Sequence, residues 1–172
     1  SHFPLMPKTK VSFWKCFSFP LIKLRVLIVN SFPFEKGDVV LLTDKEHNSN
    51  LVPWLLLRDK IGIVVKNVAS NEDGTFNLDN FKEAIKGVKF VSMVHTSNLD
   101  GVTVPAQEII KIAHENNALV HIDVAQSIAH QKIDVQDLDV DFISFSGHKI
   151  LGPTGTGIFY GKYELLEKLA PF

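Results

Sequence analysis

The sequence has 172 residues, the size of one ordinary domain, and 45% of them are hydrophobic, which is enough to bury a core and excludes disorder for most of the chain. Eighteen Lys and Arg residues against 19 Asp and Glu residues give a net charge of -1, so the composition predicts neither nucleic acid nor membrane as a partner. A single cysteine excludes a disulfide scaffold and a cysteine-based zinc site, and it indicates a reducing, cytoplasmic compartment.

Residues 1 to 34 differ in composition from the rest and are predicted to form a separate N-terminal segment. They contain no Asp or Glu and five Lys or Arg, which gives them +5 and leaves -6 for residues 35 to 172. No standard helix or strand pattern is visible there. An acid-poor, Ser-containing segment is compatible with organellar targeting, but its Phe and Pro residues oppose an amphipathic transit helix. The other interpretation is a displaced or truncated N-terminal end.

From residue 35 onward, short apolar runs alternate with helical patterns. One helix is predicted to begin at Ser49 or Asn50 as N-cap, with Pro53 in its first turn, where a missing N–H costs no hydrogen bond. Further helices are predicted at residues 78–85 and 105–115 and after the last strand. The strands are predicted at residues 39–43, 61–65, 89–95, 118–122, 141–145 and 158–160. This alternation predicts an α/β domain, a mostly parallel sheet with helices on both faces.

Polar clusters follow four of the predicted strands. They are Glu46-His47-Asn48, Thr96-Ser97-Asn98, Asp123-Val124-Ala125-Gln126 and Ser146-Gly147-His148-Lys149. In a parallel sheet, ligands bind outside the carboxyl ends of the strands. One such cluster alone is more often an ordinary solvated loop, but four clusters rich in His, Asp and Lys predict an active site at this edge of the sheet.

Lys149 is the residue with the clearest chemistry. It follows an apolar strand and lies beside His148, so partial burial next to a cation would leave an amine able to form a Schiff base, as with pyridoxal phosphate. That cofactor needs a carboxylate to keep its ring nitrogen protonated, and Asp123 at the end of a buried strand is placed for this role. The alternative role of Asp123 is to cap the short segment that follows it.

Two other kinds of site are weighed against this one. His121 and Asp123 share a strand face and could bind a metal together with His47 or His148. If Asp123 faces the sheet edge, however, His121 lies within the strand, where a hydrogen-bonded core histidine is the commoner outcome. Residues 152–157 match neither the GxxxxGK(S/T) nor the GxGxxG phosphate loop, and they lead into a strand. Neither a metal site nor a nucleotide site is predicted.

Three segments resemble the signature segments of the class V aminotransferase family. They are EHNSNLVPW at residues 46–54, DVAQS at 123–127, and FSGHK at 145–149 followed by GPTGTG at 152–157. Within the family, they look most like the cysteine desulfurase and selenocysteine lyase group, which serves iron–sulfur cluster assembly. The resemblance covers residues 31 to 172. It implies the central part of a pyridoxal phosphate-binding large domain of fold type I, similar to aspartate aminotransferase and incomplete here.

The resemblance implies catalytic roles for Lys149 and His47. Lys149 would hold the cofactor as a Schiff base and later move the proton at the substrate carbon. His47 would stack on the cofactor ring and assist proton transfer. Asp123 would pair with the ring nitrogen, an anion for a cation.

Four more residues would bind the cofactor by the same resemblance. Gln126 and Asn98 would donate amide hydrogen bonds to the phenolic oxygen of the ring. Ser146 and His148 would donate a hydroxyl and an imidazole N–H to the phosphate. The other histidines receive no role.

The reaction implied for the complete protein is the removal of sulfur from L-cysteine, which gives L-alanine and an enzyme-bound persulfide. A homodimer and a sulfur-acceptor protein are the implied partners. Family members carry the attacking Cys and a substrate-binding Arg on a small C-terminal domain, and neither is matched here. Cys16 lies in the unmatched segment and is not assigned as the nucleophile, so this chain alone is expected to be inactive. The alternatives are another class V activity, selenocysteine lyase or aminotransferase, and a non-catalytic remnant that associates with a partner.

Overall fold

The computed structural model describes residues 12 to 17 and 29 to 169, and the other residues of the predicted N-terminal segment lie outside the described residues. The strands in the described part are β1 (Ser12–Phe17), β2 (Val39–Thr43), β3 (Val64–Val68), β4 (Val88–Val94), β5 (Leu119–Asp123), β6 (Phe142–Ser146) and β7 (Gly157–Lys162). The helices are α1 (Asn48–Ile61), α2 (Leu78–Ala84), α3 (Ala106–Glu115), α4 (Val135–Leu138) and α5 (Tyr163–Leu166), with a 3-10 helix at Gly147–Ile150.

All seven described strands belong to one sheet, in the order β1-β7-β6-β5-β4-β2-β3. The pairs from β3 to β6 are parallel, whereas β7 and β1 are added antiparallel at one edge. The carboxyl ends of β2, β4, β5 and β6 therefore meet at one edge of the sheet. The mostly parallel sheet predicted from the sequence is confirmed.

The core has two layers because side chains alternate along each strand. Leu41 of β2 packs with Ile109 of α3 on one face. Its neighbours Val40 and Leu42 pack with Trp54 of α1 on the other face. The helices thus cover both faces of the sheet, as the alternation of elements predicts.

The start of α1 differs from the prediction. The N-cap is His47, two residues before Ser49, which is the first of the two predicted caps. The ring Nδ1 of His47 accepts a hydrogen bond from the Ser49 backbone N–H. Asn50, one of the predicted caps, is instead a buried residue of the helix. Among the described helices, none combines the length and the apolar character needed to cross a bilayer.

The prediction of a strand at residues 61–65 is also wrong at its start. Ile61 is the last residue of α1, and β3 begins only at Val64. Gly62 adopts φ 82°, and its N–H closes the helix on the Arg58 carbonyl at 2.8 Å. A left-handed residue after a helix favours glycine, so Gly62 is the stop signal that separates the two elements.

Two parts of the N-terminal segment contact the sheet, although no element is predicted there. Ser12–Phe17 forms the edge strand β1, in which Cys16 is paired with Ile158 of β7. Phe34 packs against Trp54 with ring centroids 5.5 Å apart. Backbone hydrogen bonding to β7 stabilises β1 as a strand, although its side chains show no strand pattern.

Candidate active site

The carboxyl ends of β4, β5 and β6 open onto a cleft of about 640 Å³. All seven residues predicted for the site line it: His47, Asn98, Asp123, Gln126, Ser146, His148 and Lys149. Six further lining residues received no role of their own in the sequence analysis: Asn48, Ser49, Val94, Ala125, Gly155 and Thr156. Most of these are sequence neighbours of predicted residues, so loop proximity is the signal that could have found them.

The 3-10 helix that carries His148 and Lys149 is held by close backbone packing. The Gly147 N–H donates to the Thr156 carbonyl at 2.9 Å, and the Gly152 N–H donates to the Gly147 carbonyl at 2.9 Å. A Cβ at Gly147 would come within 2.1 Å of Thr156 Oγ1, so only glycine fits there. The glycine-rich loop thus serves to fold back on the 3-10 helix and fix its position at the cleft.

Lys149 lies at the cleft but is exposed, and the expectation that it is partly buried is wrong. The reason is geometric. The chain turns sharply after β6 into a single turn of 3-10 helix, which projects His148 and Lys149 from the sheet edge instead of continuing the buried strand. The amine is therefore accessible from solvent and from the cleft.

Asp123 has the capping role weighed in the sequence analysis, and it also lies at the cleft. It is 3% exposed, lines the cleft, and accepts a hydrogen bond from the Ala125 backbone N–H at 3.0 Å. The capping interaction is therefore present and fixes the carboxylate at the end of β5. It does not remove the carboxylate from the cleft.

His47 is held in one orientation by the turn it caps. Its Nδ1 accepts from the Ser49 backbone N–H at 3.1 Å and lies 2.8 Å from Ser49 Oγ. A backbone N–H can only donate, so Nδ1 carries no proton in this arrangement, and in the neutral ring the proton sits on Nε2. The ring thus offers one N–H donor away from the helix.

Asn98 lies in the loop that follows β4, and this loop is tied to the neighbouring loops. Lys45 Nζ contacts both Asp100 and the Gly74 carbonyl, and it joins three loops near the cleft. The hydrogen bond from Lys45 is the main reason why the pKa of Asp100 lies below its ordinary value. Side chains of charged residues outside the cleft therefore hold the segment that carries Asn98.

Glu46 is a residue near the cleft to which the sequence analysis gives no role of its own. Burial of its carboxyl group raises its pKa, although hydrogen bonds from Asn50, Thr43 and the Val94 N–H oppose this change, and the nearby charge of Asp123 adds to it. The carboxyl groups of Glu46 and Asp123 are thus close enough for the charge of Asp123 to raise the pKa of Glu46. Glu46 belongs to the polar cluster Glu46-His47-Asn48 of the sequence analysis. Only the fold shows that its side chain points inward, toward Asn50 and Val94.

His121 does not line the cleft. It is 1% exposed, and its two ring nitrogens lie 2.9 Å from Ser92 Oγ and 2.8 Å from Ser144 Oγ. The expectation of a hydrogen-bonded core histidine is confirmed. Among the described residues, no group of three or more His, Cys, Asp or Glu side chains has the geometry to hold a metal ion.

The comparison with protein families decides where this fold and cleft belong. The family model described as aminotransferase class V matches residues 21–172 of the chain. The chain belongs to the class V aminotransferase family. This match begins at residue 21, whereas the resemblance described in the sequence analysis begins at residue 31.

Curated relatives in this family carry the name cysteine desulfurase. The chain is 42% identical over 137 residues to a probable cysteine desulfurase of Halalkalibacterium halodurans, covering 79% of this chain and 34% of that protein. It is 40% identical over 137 residues to a cysteine desulfurase of Haloferax volcanii, covering 79% of this chain and 32% of that protein. The chain thus spans about a third of the length of these relatives.

A solved family structure has the same fold. The cysteine desulfurase CsdA from Escherichia coli superposes with a TM-score of 0.87 at 32% identity, over 96% of this chain and 42% of that chain. The seven-stranded sheet is therefore the large-domain fold of the family, and the fold class implied by the sequence resemblance is confirmed.

Proposed function

We propose that this chain is the cofactor-binding part of a pyridoxal phosphate-dependent cysteine desulfurase. The observation that carries the proposal is the cleft itself, in which a buried carboxylate, Asp123, and an accessible amine, Lys149, line the same cavity. Membership of the class V aminotransferase family and 42% identity to a probable cysteine desulfurase support this assignment.

The donor set of the cleft fits pyridoxal phosphate. An anion suits the protonated ring nitrogen, and Asp123 is the buried carboxylate among the cleft residues. Ser146 and His148 add a hydroxyl and an imidazole to the cleft that Lys149 also lines, and these groups suit a phosphate. Thr156 is not one of these donors, because its hydroxyl donates to the Pro153 carbonyl at 2.7 Å.

The cofactor, when bound, withdraws electrons from the α-carbon of an amino-acid substrate. In the proposed site, Asp123 would keep the ring nitrogen protonated, and Gln126 and Asn98 would hydrogen-bond the phenolic oxygen. His47 would lie against the ring, with the proton of its neutral ring on Nε2. Lys149 would hold the cofactor and move a proton at the substrate carbon.

The proposed reaction of the complete protein converts L-cysteine to L-alanine and leaves the sulfur as an enzyme-bound persulfide. The groups of this chain serve the carbon chemistry, whereas the sulfur must be taken by a thiolate aimed at the substrate. The persulfide sulfur would then pass to an acceptor protein for iron–sulfur cluster assembly. Residues 35 to 172 form most of the proposed large-domain part, to which Ser12–Phe17 of the N-terminal segment adds the edge strand β1.

A homodimer is proposed for the complete protein. Large apolar side chains are exposed directly beside cleft residues: Leu99 is 72% exposed next to Asn98, and Leu151 is fully exposed next to the 3-10 helix. We propose that these two side chains are covered at the dimer interface of the complete protein. Light scattering on the complete protein and on its Leu151→Glu variant should give a dimer that weakens in the variant, and a wild-type monomer would contradict the proposal.

Covalent trapping tests the proposed cofactor site. Borohydride reduction after incubation with pyridoxal phosphate should add a phosphopyridoxyl group to the peptide that contains Lys149. The Lys149→Ala variant should lose this label, whereas Lys132→Ala, which removes an exposed lysine outside the cleft, should keep it. Mass spectrometry that finds the label on another lysine would contradict the assignment.

A further inference from the structure

A line of polar side chains crosses the sheet from the turn before α1 to β6. We call it the polar relay, and its members are Glu46, Asn50, Ser92, His121 and Ser144. The last four are at most 1% exposed. Adjacent members are joined by hydrogen bonds of 2.6, 2.8, 2.9 and 2.8 Å. Such a buried network stabilises the protein only if every donor meets an acceptor, so its directions can be worked out.

The direction of the polar relay is fixed at its Glu46 end. Asn50 Nδ2 faces two acceptors, Glu46 Oε2 at 2.6 Å and the Ser92 carbonyl at 3.3 Å, so the amide has one possible orientation. Asn50 Oδ1 therefore accepts the hydroxyl hydrogen of Ser92. Because a serine has one such hydrogen, Ser92 Oγ can only accept from His121, and the protonated ring nitrogen is Nδ1.

The other end of the polar relay lies beside Asp123. In the neutral His121 ring, Nε2 has no proton and accepts the hydroxyl hydrogen of Ser144. Ser144 of β6 is the register partner of Asp123 of β5, so the two side chains share a face of the sheet. The single hydroxyl hydrogen of Ser144 is thus donated to His121.

Glu46 also fastens the turn that precedes α1. Its Oε1 accepts from the Val94 N–H at 3.0 Å, and from the N–H and hydroxyl of Thr43 at 3.2 and 2.6 Å. One carboxylate therefore joins the ends of β2 and β4 to the helix turn that carries His47. The positions of His47 and Val94, which both line the cleft, therefore depend on the side chain of Glu46.

We propose that Glu46 is a positioning residue, which sets the tautomer of His121 through the polar relay. By this route it keeps the Ser144 hydroxyl hydrogen on His121, so that this hydroxyl does not compete with the cofactor ring nitrogen for the Asp123 carboxylate. The consequence for the cofactor rests on the proposed function, whereas the tautomer of His121 is a property of the chain without any cofactor.

The Glu46→Gln variant tests the proposal directly. The introduced amide keeps an oxygen for Val94 and Thr43 but presents an NH₂ to Asn50. Asn50 must then turn its amide, Ser92 must donate to His121, and the His121 proton must move to Nε2. Nitrogen NMR of the histidine rings, without cofactor, should show an Nδ1-protonated ring in the wild type and an Nε2-protonated ring in the variant.

A second substitution should reverse this effect. In the double variant E46Q/N50D, the carboxylate and the amide exchange places, so Ser92 again has an acceptor on the α1 side. The proposal requires that His121 return to the Nδ1-protonated form. If E46Q acted only by loosening the packing, the second substitution would not restore the His121 tautomer, because it would disturb the packing further.

Each outcome decides the proposal. An Nε2-protonated His121 in the wild type, or the same tautomer in wild type and E46Q, overturns it. If E46Q does not fold, the double variant and Ser92→Ala decide: the Nδ1 form must persist in the double variant, and its preference must be lost in Ser92→Ala. Persistence of the Nδ1 form in Ser92→Ala overturns the relay.

The consequence for the cofactor is measured separately. In E46Q the Ser144 hydroxyl can donate to Asp123, and pyridoxal phosphate should bind about tenfold more weakly, with affinity restored in E46Q/N50D. A tautomer switch between wild type and E46Q, together with no borohydride label on Lys149 of the wild type, would contradict the proposed function and leave the relay intact. A label on Lys149 without the switch would do the reverse.

Discussion

Asp123 is the residue on which the proposed cofactor site depends most. Its carboxylate is buried at the end of β5 and already accepts one backbone hydrogen bond, from Ala125. A buried carboxylate is a strong partner for a cationic ring nitrogen, because hydrogen bonds to charged groups are stronger than those between neutral groups.

We expect Asp123→Asn to weaken binding of pyridoxal phosphate roughly tenfold to 100-fold, since a charged hydrogen bond contributes about 1.5–3 kcal/mol. The substitution keeps the size but removes the anion, so the visible absorbance of the bound cofactor should also change. Spectroscopic titration measures both effects. Asp134→Asn, which alters an exposed helix cap, is the control. Unchanged affinity and spectrum would reduce Asp123 to its capping role.

Burial of His95, which follows β4, makes the stability of the protein depend on pH. It is 8% exposed, and burial lowers its pKa below the ordinary value of 6.5. The unfolded chain therefore takes up a proton at a higher pH than the folded chain. Stability is complete above the unfolded pKa and falls as the pH drops below about 6.5 toward the folded pKa.

We expect the free energy of unfolding to fall between about pH 7 and about pH 5 in the wild type, and this part of the slope to be absent in His95→Gln. Urea unfolding across this pH range measures the slope. His130→Gln changes an exposed histidine and should keep the wild-type slope. Identical slopes in all three proteins would contradict the role of His95.

At the scale of elements, an ion-pair cluster lies at the sheet edge opposite the cleft, where β5 and β6 begin and the antiparallel β7 ends. Asp141 is 3% exposed and accepts from the Val120 N–H at 2.8 Å. It also lies 2.8 Å from His114 Nε2 and 3.0 Å from Lys162 Nζ. Burial alone would lower the pKa of Lys162, but Asp139 and Asp141 raise it overall. The cluster joins α3, β5 and β7.

We expect Asp141→Asn to lower the free energy of unfolding by about 3–5 kcal/mol, the usual cost of removing one partner of a buried ion pair. Asp139→Asn should cost at most about 1 kcal/mol, because its side chain is 62% exposed and Asn tolerates the φ of 50° found there. Chemical unfolding of both variants measures the difference. Equal costs would show that the buried position of Asp141 is not what matters.

At the scale of the whole molecule, the described fold carries the carbon chemistry of the proposed reaction but only one thiol. Cys16 lies in the edge strand β1, paired with Ile158 in the antiparallel ladder. A backbone held in a ladder does not provide the mobile thiolate that must reach a substrate sulfur. This is the physical reason for expecting the 172-residue chain to be inactive by itself.

We expect this chain to release sulfide from L-cysteine no faster than free pyridoxal phosphate does under the same reductant. Sulfide assays on the chain, its Cys16→Ala variant and the free cofactor test this. The chain and the variant should give equal rates. Activity well above the free cofactor that is lost in Cys16→Ala would make Cys16 the nucleophile.

The sequence by itself determined the alternation of strands and helices, and with it the mostly parallel sheet. It also indicated where the seven predicted cleft residues lie, because parallel strands bring their carboxyl ends to one edge and the polar clusters follow the apolar runs. Lys149 and Asp123 are found this way without any knowledge of packing. Motif segments then suffice to indicate the class V aminotransferase family.

Only the tertiary structure decided which side chains are enclosed and what they contact. The exposure of Lys149 depends on a 3-10 turn that requires Gly147 to pack against Thr156, which are nine residues apart in a loop. The inward position of Glu46 depends on Asn50 and Ser92, 42 residues apart, meeting across the sheet. Local sequence patterns report periodicity and turns, whereas hydrogen-bond partners are set by contacts between distant segments, which a single sequence does not encode in any local signal.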